Sequence, residues 1–203
     1  MPQDAHTALI RAEAADQPRP IWCVTAQDWR KVAGELPPIA VAFAEASGFR
    51  AEPGKVLVVP DAAGAIAGVL FGVEATPRDP LAFGKLATTL PAGDYRLASG
   101  AADPRLAALA FALGAYRFER YRARNAPRPR LVIPEAVDEA ALIRTVEAVT
   151  PAPDLVNTPA NDMGPAELEA AARALAAPHG ATVAVTARVG PLAHLGEGPQ
   201  VRI

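Results

Sequence analysis

The chain has 203 residues, 51% of them hydrophobic, and a formal net charge of -2 at pH 7. This composition excludes a wholly disordered chain, and the near-neutral charge excludes a global attraction to nucleic acid or to an anionic membrane. The single cysteine, Cys23, excludes an internal disulfide and any metal site built from several cysteines, which fits a reducing, cytoplasmic compartment. Because Ala, Leu and Val predominate and aromatic residues make up only 5%, we expect helices around a sheet, the α/β class.

The first half of the chain predicts alternating strands and helices. Residues 21–25 are predicted to form the first strand, and Pro37 begins a predicted helix that Gly48 ends. Two β-rich runs, KVLVVP and AIAGVLFGV, flank Asp61-Ala-Ala-Gly64, and this pattern predicts a hairpin.

Two Asp-Pro pairs predict the starts of further helices, since aspartate caps a helix and proline suits its first turn. Asp79-Pro80 precedes the helical run LAFGKLATTL, and Asp103-Pro104 precedes an apolar run that ends before Arg117. This run falls short of the ~20 residues that cross a bilayer, so we expect no membrane span. Residues 95–99 and 130–134 are predicted strands.

A second, incomplete α/β unit is predicted after residue 150. Residues 138–149 form a predicted amphipathic helix that Pro151 and Pro153 end, and the loop DLVNTPANDMGP follows. Pro165 then begins a helix, ATVAVT at 181–186 predicts a strand, and residues 187–203 predict a loop. We therefore expect one domain at 1–150 and the start of another at 151–203.

Common catalytic patterns are weak in this sequence. Ser47 and Ser99 lack a G-x-S-x-G context, and the histidines at 6, 179 and 194 lack H-E-x-x-H spacing. His194 with Glu197 is the nearest approach to a metal-binding pair, and we favour a solvated loop there.

Gly64, Gly68 and Gly72 recur at every fourth residue without matching a phosphate-binding motif. We interpret Gly64 as a turn residue and the other two as places where a helix packs closely on the strand. A phosphate cradle is the less favoured alternative.

Six arginines lie at positions 117, 120, 122, 124, 128 and 130, with Tyr116, Phe118 and Tyr121 among them. Guanidinium groups beside aromatic rings are able to contact a nucleic-acid backbone and to stack on bases. Because the net charge is acidic, we favour a solvated linker or an intersubunit strip of salt bridges over nucleic-acid binding.

The segment DLVNTPANDMGP, residues 154–165, contains polar side chains on either side of a proline-containing turn. Asn157, Asn161 and Asp162 are therefore expected to hydrogen-bond the backbone and to cap the helix that begins at Pro165. We favour this structural role over direct catalysis by Asp154 or Asp162.

DLVNTPANDMGP and the Ala- and Leu-rich helix after it resemble the signature with which the leucyl (cytosol) aminopeptidase family enters its catalytic domain. LPAGDYRLA, AALAFALGAYRFERYR and LVIPE resemble that family's amino-terminal domain, and the resemblance covers most of residues 55–185. Pro153, where the family usually has a basic residue, and the sequence after residue 187 depart from the pattern. The signature falls on Asp154, Asn157, Thr158, Pro159, Asn161, Asp162, Gly164 and Pro165.

The resemblance implies a mixed sheet flanked by helices, similar to macro domains, that leans on a larger domain holding two divalent metals, zinc or manganese. Such metals polarise a peptide carbonyl and supply hydroxide, so the resemblance implies a metal-dependent aminopeptidase. The family's N-T-D-A-E-G-R motif and the glycine-rich motif that carry its metal ligands and catalytic lysine are absent from this sequence. No catalytic residue, metal ligand or cofactor is therefore assigned to this chain alone.

Two functions stay open at this point. The first is the amino-terminal part of a leucyl aminopeptidase, truncated, altered in frame or degenerate, which is inactive alone and associates with itself or with the missing catalytic domain. A peptide substrate is then expected only for the complete enzyme. The second is a non-catalytic, macro-like module that binds a nucleotide or small ligand or acts in oligomer assembly.

Overall fold

The computed structural model describes residues 5–100, 103–121, 126–187 and 201–202. Contacts between Cα atoms divide the chain into two compact units, Met1–Thr150 and Pro151–Ile203. The first unit contains the sheet, and the second contains two helices and a short strand pair.

A six-stranded mixed sheet forms the centre of the first unit, which confirms the predicted α/β class. Its spatial order is β1-β6-β5-β2-β4-β3, and each neighbouring pair is parallel except the hairpin of β3 and β4. The strands are β1 (Leu9–Ile10), β2 (Arg19–Val24), β3 (Val56–Pro60), β4 (Ile66–Gly72), β5 (Gly93–Ser99) and β6 (Pro129–Val132).

Helices cover both faces of this sheet. They are α1 (Trp29–Ala33), α2 (Pro38–Ala46), α3 (Leu86–Thr89), α4 (Pro104–Gly114) and α5 (Glu139–Val149), with 3-10 turns at Ala5–Ala8, Ala12–Ala14 and Ala82–Lys85. Successive residues of a strand point to opposite faces, so Ile21 and Cys23 join one buried cluster and Val24 joins the other. The first cluster includes residues of α3, α4 and α5, and the second includes Ala40 and Ala44 of α2.

The hairpin turn and the amino ends of α4 and α5 form as their local chemistry requires. In the hairpin, Asp61 Oδ1 accepts hydrogen bonds from the amides of Ala63 and Ala65 at 2.8 and 2.9 Å, and Gly64 adopts a φ of 83°. Asp103 caps α4 by accepting from the Leu106 amide at 3.0 Å, and Asp138 caps α5 in the same way. The hairpin turn and the Asp103 cap were predicted and are confirmed, whereas the Asp138 cap is a finding of the structure.

Several sequence-based expectations about the first unit were wrong. β1 precedes the predicted first strand, because Leu9 and Ile10 pair with Leu131 and Val132 of β6. The run after Asp79-Pro80 begins as a 3-10 turn and continues as only one short α-helix.

The second unit differs from the prediction at both of its ends. Pro151 does not lead into a loop but begins α6 (Pro151–Asn157), followed by α7 (Pro165–Ala176) and a 3-10 turn at Ala177–His179. The expected strand at 181–186 is reduced to β7 (Thr186–Ala187), which pairs with β8 (Val201–Arg202) inside the expected loop. The rest of that loop lies outside the described residues.

Gly68 and Gly72 sit at close approaches, but the neighbour in each case is not a helix. A Cβ at Gly68 would lie 2.8 Å from the Pro20 carbonyl oxygen and would also overlap the Trp22 ring on the adjacent strand. A Cβ at Gly72 would overlap the backbone of Glu52. The small residues therefore make room for a tryptophan ring and for a loop.

Candidate functional site

The first part of the signature segment is helical. Asp154 and Asn157 belong to α6, and the Asp154 carbonyl oxygen accepts from both the Thr158 hydroxyl at 2.7 Å and the Thr158 amide at 3.1 Å. Thr158 is buried, and the following turn is closed by the Asp162 amide donating to the Pro159 carbonyl at 2.9 Å. These hydrogen bonds hold the local backbone conformation of the segment.

The cap of α7 differs from the one expected. Gly164 rather than an asparagine or aspartate is the N-cap residue, and Pro165 is the first helical residue. The Glu167 carboxylate accepts a hydrogen bond from the Gly164 amide at 3.0 Å, which supplies the side-chain half of a capping box. Asn161 lies in the exposed turn before this cap.

The described residues do not fit a pair of divalent metals. Among them, no three His, Cys, Asp or Glu side chains gather as a metal-binding group. Ser47 and Ser99 are exposed at the ends of α2 and β5, and His179 is exposed in the 3-10 turn after α7. His194 and Glu197 lie outside the described residues.

A groove of about 550 Å³ opens at the carboxyl end of β4. Its walls are mainly apolar, with Phe71, Val73, Phe83 and Leu106 among the lining residues. Open α/β sheets commonly bind ligands outside the carboxyl ends of their strands, so this is the position where the fold favours a small-molecule site.

Three carboxylates lie on this groove, at Glu74, Asp79 and Asp103. Asp103 is occupied with capping α4, and Asp79 Oδ1 accepts from the Leu81 amide at 2.8 Å. Arg78 also lines the groove, but its side chain is 91% exposed. Its Nε lies 3.7 Å from Glu74 Oε1. The groove is therefore acidic on balance, and a carboxylate already occupies the amino end of α4.

A second cleft, of about 380 Å³, lies at the opposite end of the strands, where β5 and β6 begin. Arg117, Arg128 and Arg130 line it together with the buried Asp94. Arg130 makes two hydrogen bonds to Asp94, and Arg128 pairs with Glu119, whose side chain is only 5% exposed. Arg128 and Arg130 thus form ion pairs within the chain. The arginines at 122 and 124 lie outside the described residues.

Cys23 is buried in β2 and shows no sign of being a reactive thiol. Burial raises the pKa of its thiol from 9.0 to about 12, so it stays protonated and poorly nucleophilic at neutral pH. Within the described part of the chain, no helix has the length and apolar character needed to cross a membrane.

Comparison with known proteins identifies the first unit. Residues 23–134 match the family model for the M17 aminopeptidase N-terminal domain. The comparison with curated proteins gave no match. Among solved structures, a cytosol aminopeptidase from Coxiella burnetii shares 28% identity at a TM-score of 0.78, with 90% of this chain and 40% of that chain covered.

Two more distant structures show the same fold. Tomato leucine aminopeptidase is 15% identical with a TM-score of 0.62, covering 89% of this chain and 43% of its own. The bottromycin maturation enzyme BotP, solved in complex with Mn, is 24% identical with a TM-score of 0.59, covering 86% and 39%. The chain spans less than half the length of each of these proteins. Since the family model matches more than half of this chain, the protein belongs to the M17 aminopeptidase family and carries that family's amino-terminal domain.

Proposed function

We propose that this chain is the amino-terminal part of a metal-dependent leucyl aminopeptidase and has no peptidase activity by itself. The observation that carries this proposal is that residues 23–134 match the M17 amino-terminal domain, while the chain spans 40% of the Coxiella enzyme. Catalysis then belongs to the remainder of such an enzyme. For that complete enzyme we propose a peptide substrate, two divalent metals and a cytosolic location.

The exposed apolar residues of the second unit support an assembly role for the chain. Neither α6 nor α7 contains a buried residue, and Val156 and Leu175 are 83% and 53% exposed. Amphipathic helices gain most of their stability by burying an apolar face. We propose that the remainder of the aminopeptidase, or a second copy of the chain, covers this surface.

Sequencing the transcript beyond codon 203 tests the proposal. If the chain is part of an aminopeptidase, the same frame or a neighbouring one resumes with carboxylate and lysine motifs that suit a two-metal site. A stop codon followed by unrelated sequence contradicts the proposal and favours a separate module.

A small-ligand module is the second candidate, and the groove at the carboxyl end of β4 favours it. Its acidic rim and the capped end of α4 suit a neutral or amine-bearing apolar ligand better than a nucleotide phosphate. Calorimetric titration with leucine amide and with AMP separates these chemistries. Saturable binding of leucine amide that is lost in Glu74→Gln, but kept in Glu135→Gln, supports the module. If neither probe binds, the small-ligand proposal is contradicted.

A further inference from the structure

We propose that the cleft at the amino ends of β5 and β6 binds a small oxyanion, a carboxylate or a phosphate monoester, through Arg117, Arg128 and Arg130. The aminopeptidase proposal gives these arginines no role. The cleft holds about 380 Å³, which accommodates an organic acid or a phosphate ester but not a folded macromolecule.

Two of the three guanidinium groups are held in place by buried carboxylates. Arg130 Nε and Nη2 donate to Asp94 Oδ1 and Oδ2 at 2.7 and 3.0 Å, and Arg128 Nη2 donates to Glu119. The Arg128 and Arg130 side chains remain 30% and 45% exposed. Because a guanidinium carries five N–H donors, each has donors left for a ligand after its ion pair has formed. The pairs therefore orient the two groups without exhausting them.

Arg117 supplies a third positive charge that these carboxylates do not balance. It lies three residues beyond the end of α4, lines the cleft and is partly buried. Its side chain makes no hydrogen bond or ion pair with any described residue. The negative end of the α4 dipole favours a cation here but supplies only about half an elementary charge. Among the described residues a net positive charge is therefore left in a partly desolvated cleft, where it attracts an anion more strongly than it would in open solvent.

The residue type decides the ligand class. Arginine presents planar, paired N–H donors that match the geometry of carboxylate and phosphate oxygens, and it keeps its charge at every physiological pH. Three such groups around one cleft suit a compact oxyanion. A nucleic acid would instead need a long basic track, and the overall charge of -2 does not provide one.

Isothermal titration calorimetry on the full chain tests this site, with inorganic phosphate and succinate as separate probes at constant ionic strength. We expect saturable binding of at least one probe, weakened at least tenfold by Arg117→Gln. Arg105→Gln, which removes an exposed arginine of α4 that does not line the cleft, is the matched control and keeps the affinity within twofold.

Binding of phosphate but not succinate assigns the site to a phosphate group, and binding of succinate but not phosphate assigns it to a carboxylate; both outcomes support the site. If Arg117→Gln fails to fold, Arg117→Lys takes its place, since lysine keeps the charge and loses the paired donors, and weaker binding is again expected. Absence of saturable binding, equal affinity in the Arg117 variant, or binding only of a polyanion such as heparin overturns the proposal.

Discussion

Arg130 and Asp94 are directly opposite each other on the parallel strands β6 and β5, and their side chains form a two-point ion pair. Asp94 is almost fully buried and also accepts a hydrogen bond from the Asp16 amide at 2.8 Å. One carboxylate thereby connects β5 and β6 to the segment that precedes β2.

Removing the arginine from this pair should destabilise the protein. Arg130→Met leaves Asp94 buried with one charge partner fewer, so we expect a loss of about 2–4 kcal/mol in the free energy of unfolding. Arg78→Met is the control, because its pair with Glu74 is exposed and worth less than about 0.5 kcal/mol. Urea denaturation measures the free energy of unfolding of both variants. Equal losses would show that the buried pair stabilises the protein no more than the exposed pair does.

Gly114 should not tolerate a side chain. A Cβ there would lie 2.6 Å from the Gly84 Cα, where the 3-10 turn at Ala82–Lys85 crosses the end of α4. We expect Gly114→Ala to lower the free energy of unfolding by about 1–3 kcal/mol through overpacking. Gly34→Ala, at a helical φ of -67°, should change it by less than about 1 kcal/mol. Thermal unfolding with no difference between the two variants would contradict the close contact.

Because its thiol is buried, Cys23 should lower the stability of the folded protein at alkaline pH. The pKa of its thiol is about 12 in the folded protein and 9.0 when exposed, so above pH 9 the unfolded chain loses this proton first. The folded state then binds more protons than the unfolded state, and its stability falls by up to about 1.4 kcal/mol per pH unit between those two values. Cys23→Ala should remove that part of the slope in urea denaturation between pH 9 and 12; an unchanged slope would exclude Cys23 as its source.

We predict that residues 1–150 and 151–203 behave as separate domains. Deleting residues 154–203 should leave the stability of the remainder nearly unchanged, and it should lower self-association and the binding of a dye specific for apolar surfaces, because Val156 and Leu175 are removed. Sedimentation and dye fluorescence measure the second effect. Unfolding of the shortened chain would instead make the carboxyl-terminal segment an integral layer of one domain.

Features set by neighbouring residues were predictable from the sequence. The hairpin depends on Asp61 and Gly64 within a few residues of each other, and the caps of α4 and α5 need only Asp103 and Asp138 next to their own helices. The aminopeptidase signature could be recognised for the same reason, because it is one continuous segment, residues 154–165. Its helical start was missed because proline both ends one helix and suits the first turn of the next, as Pro151 does.

Features set by distant partners were not predictable. Leu9 and Ile10 form a strand only because β6, more than a hundred residues later, pairs with them. ATVAVT alternates as a strand should, yet only its last residue gains a strand partner. The ion pair of Asp94 and Arg130 depends on the register of β5 and β6, and Asp94 lies just before the predicted strand 95–99, so no sign of the pair was visible in the sequence.

Aminopeptidase activity of the purified full chain tests the central claim most directly. The assay measures hydrolysis of a leucine anilide with added zinc or manganese, before and after treatment with a chelator. We predict no hydrolysis above the blank, because a two-metal hydrolytic centre needs clustered carboxylates and a lysine that we assign to the remainder of the enzyme. Turnover that the chelator abolishes, and that returns when metal is restored, would contradict the claim that this chain is a non-catalytic amino-terminal part.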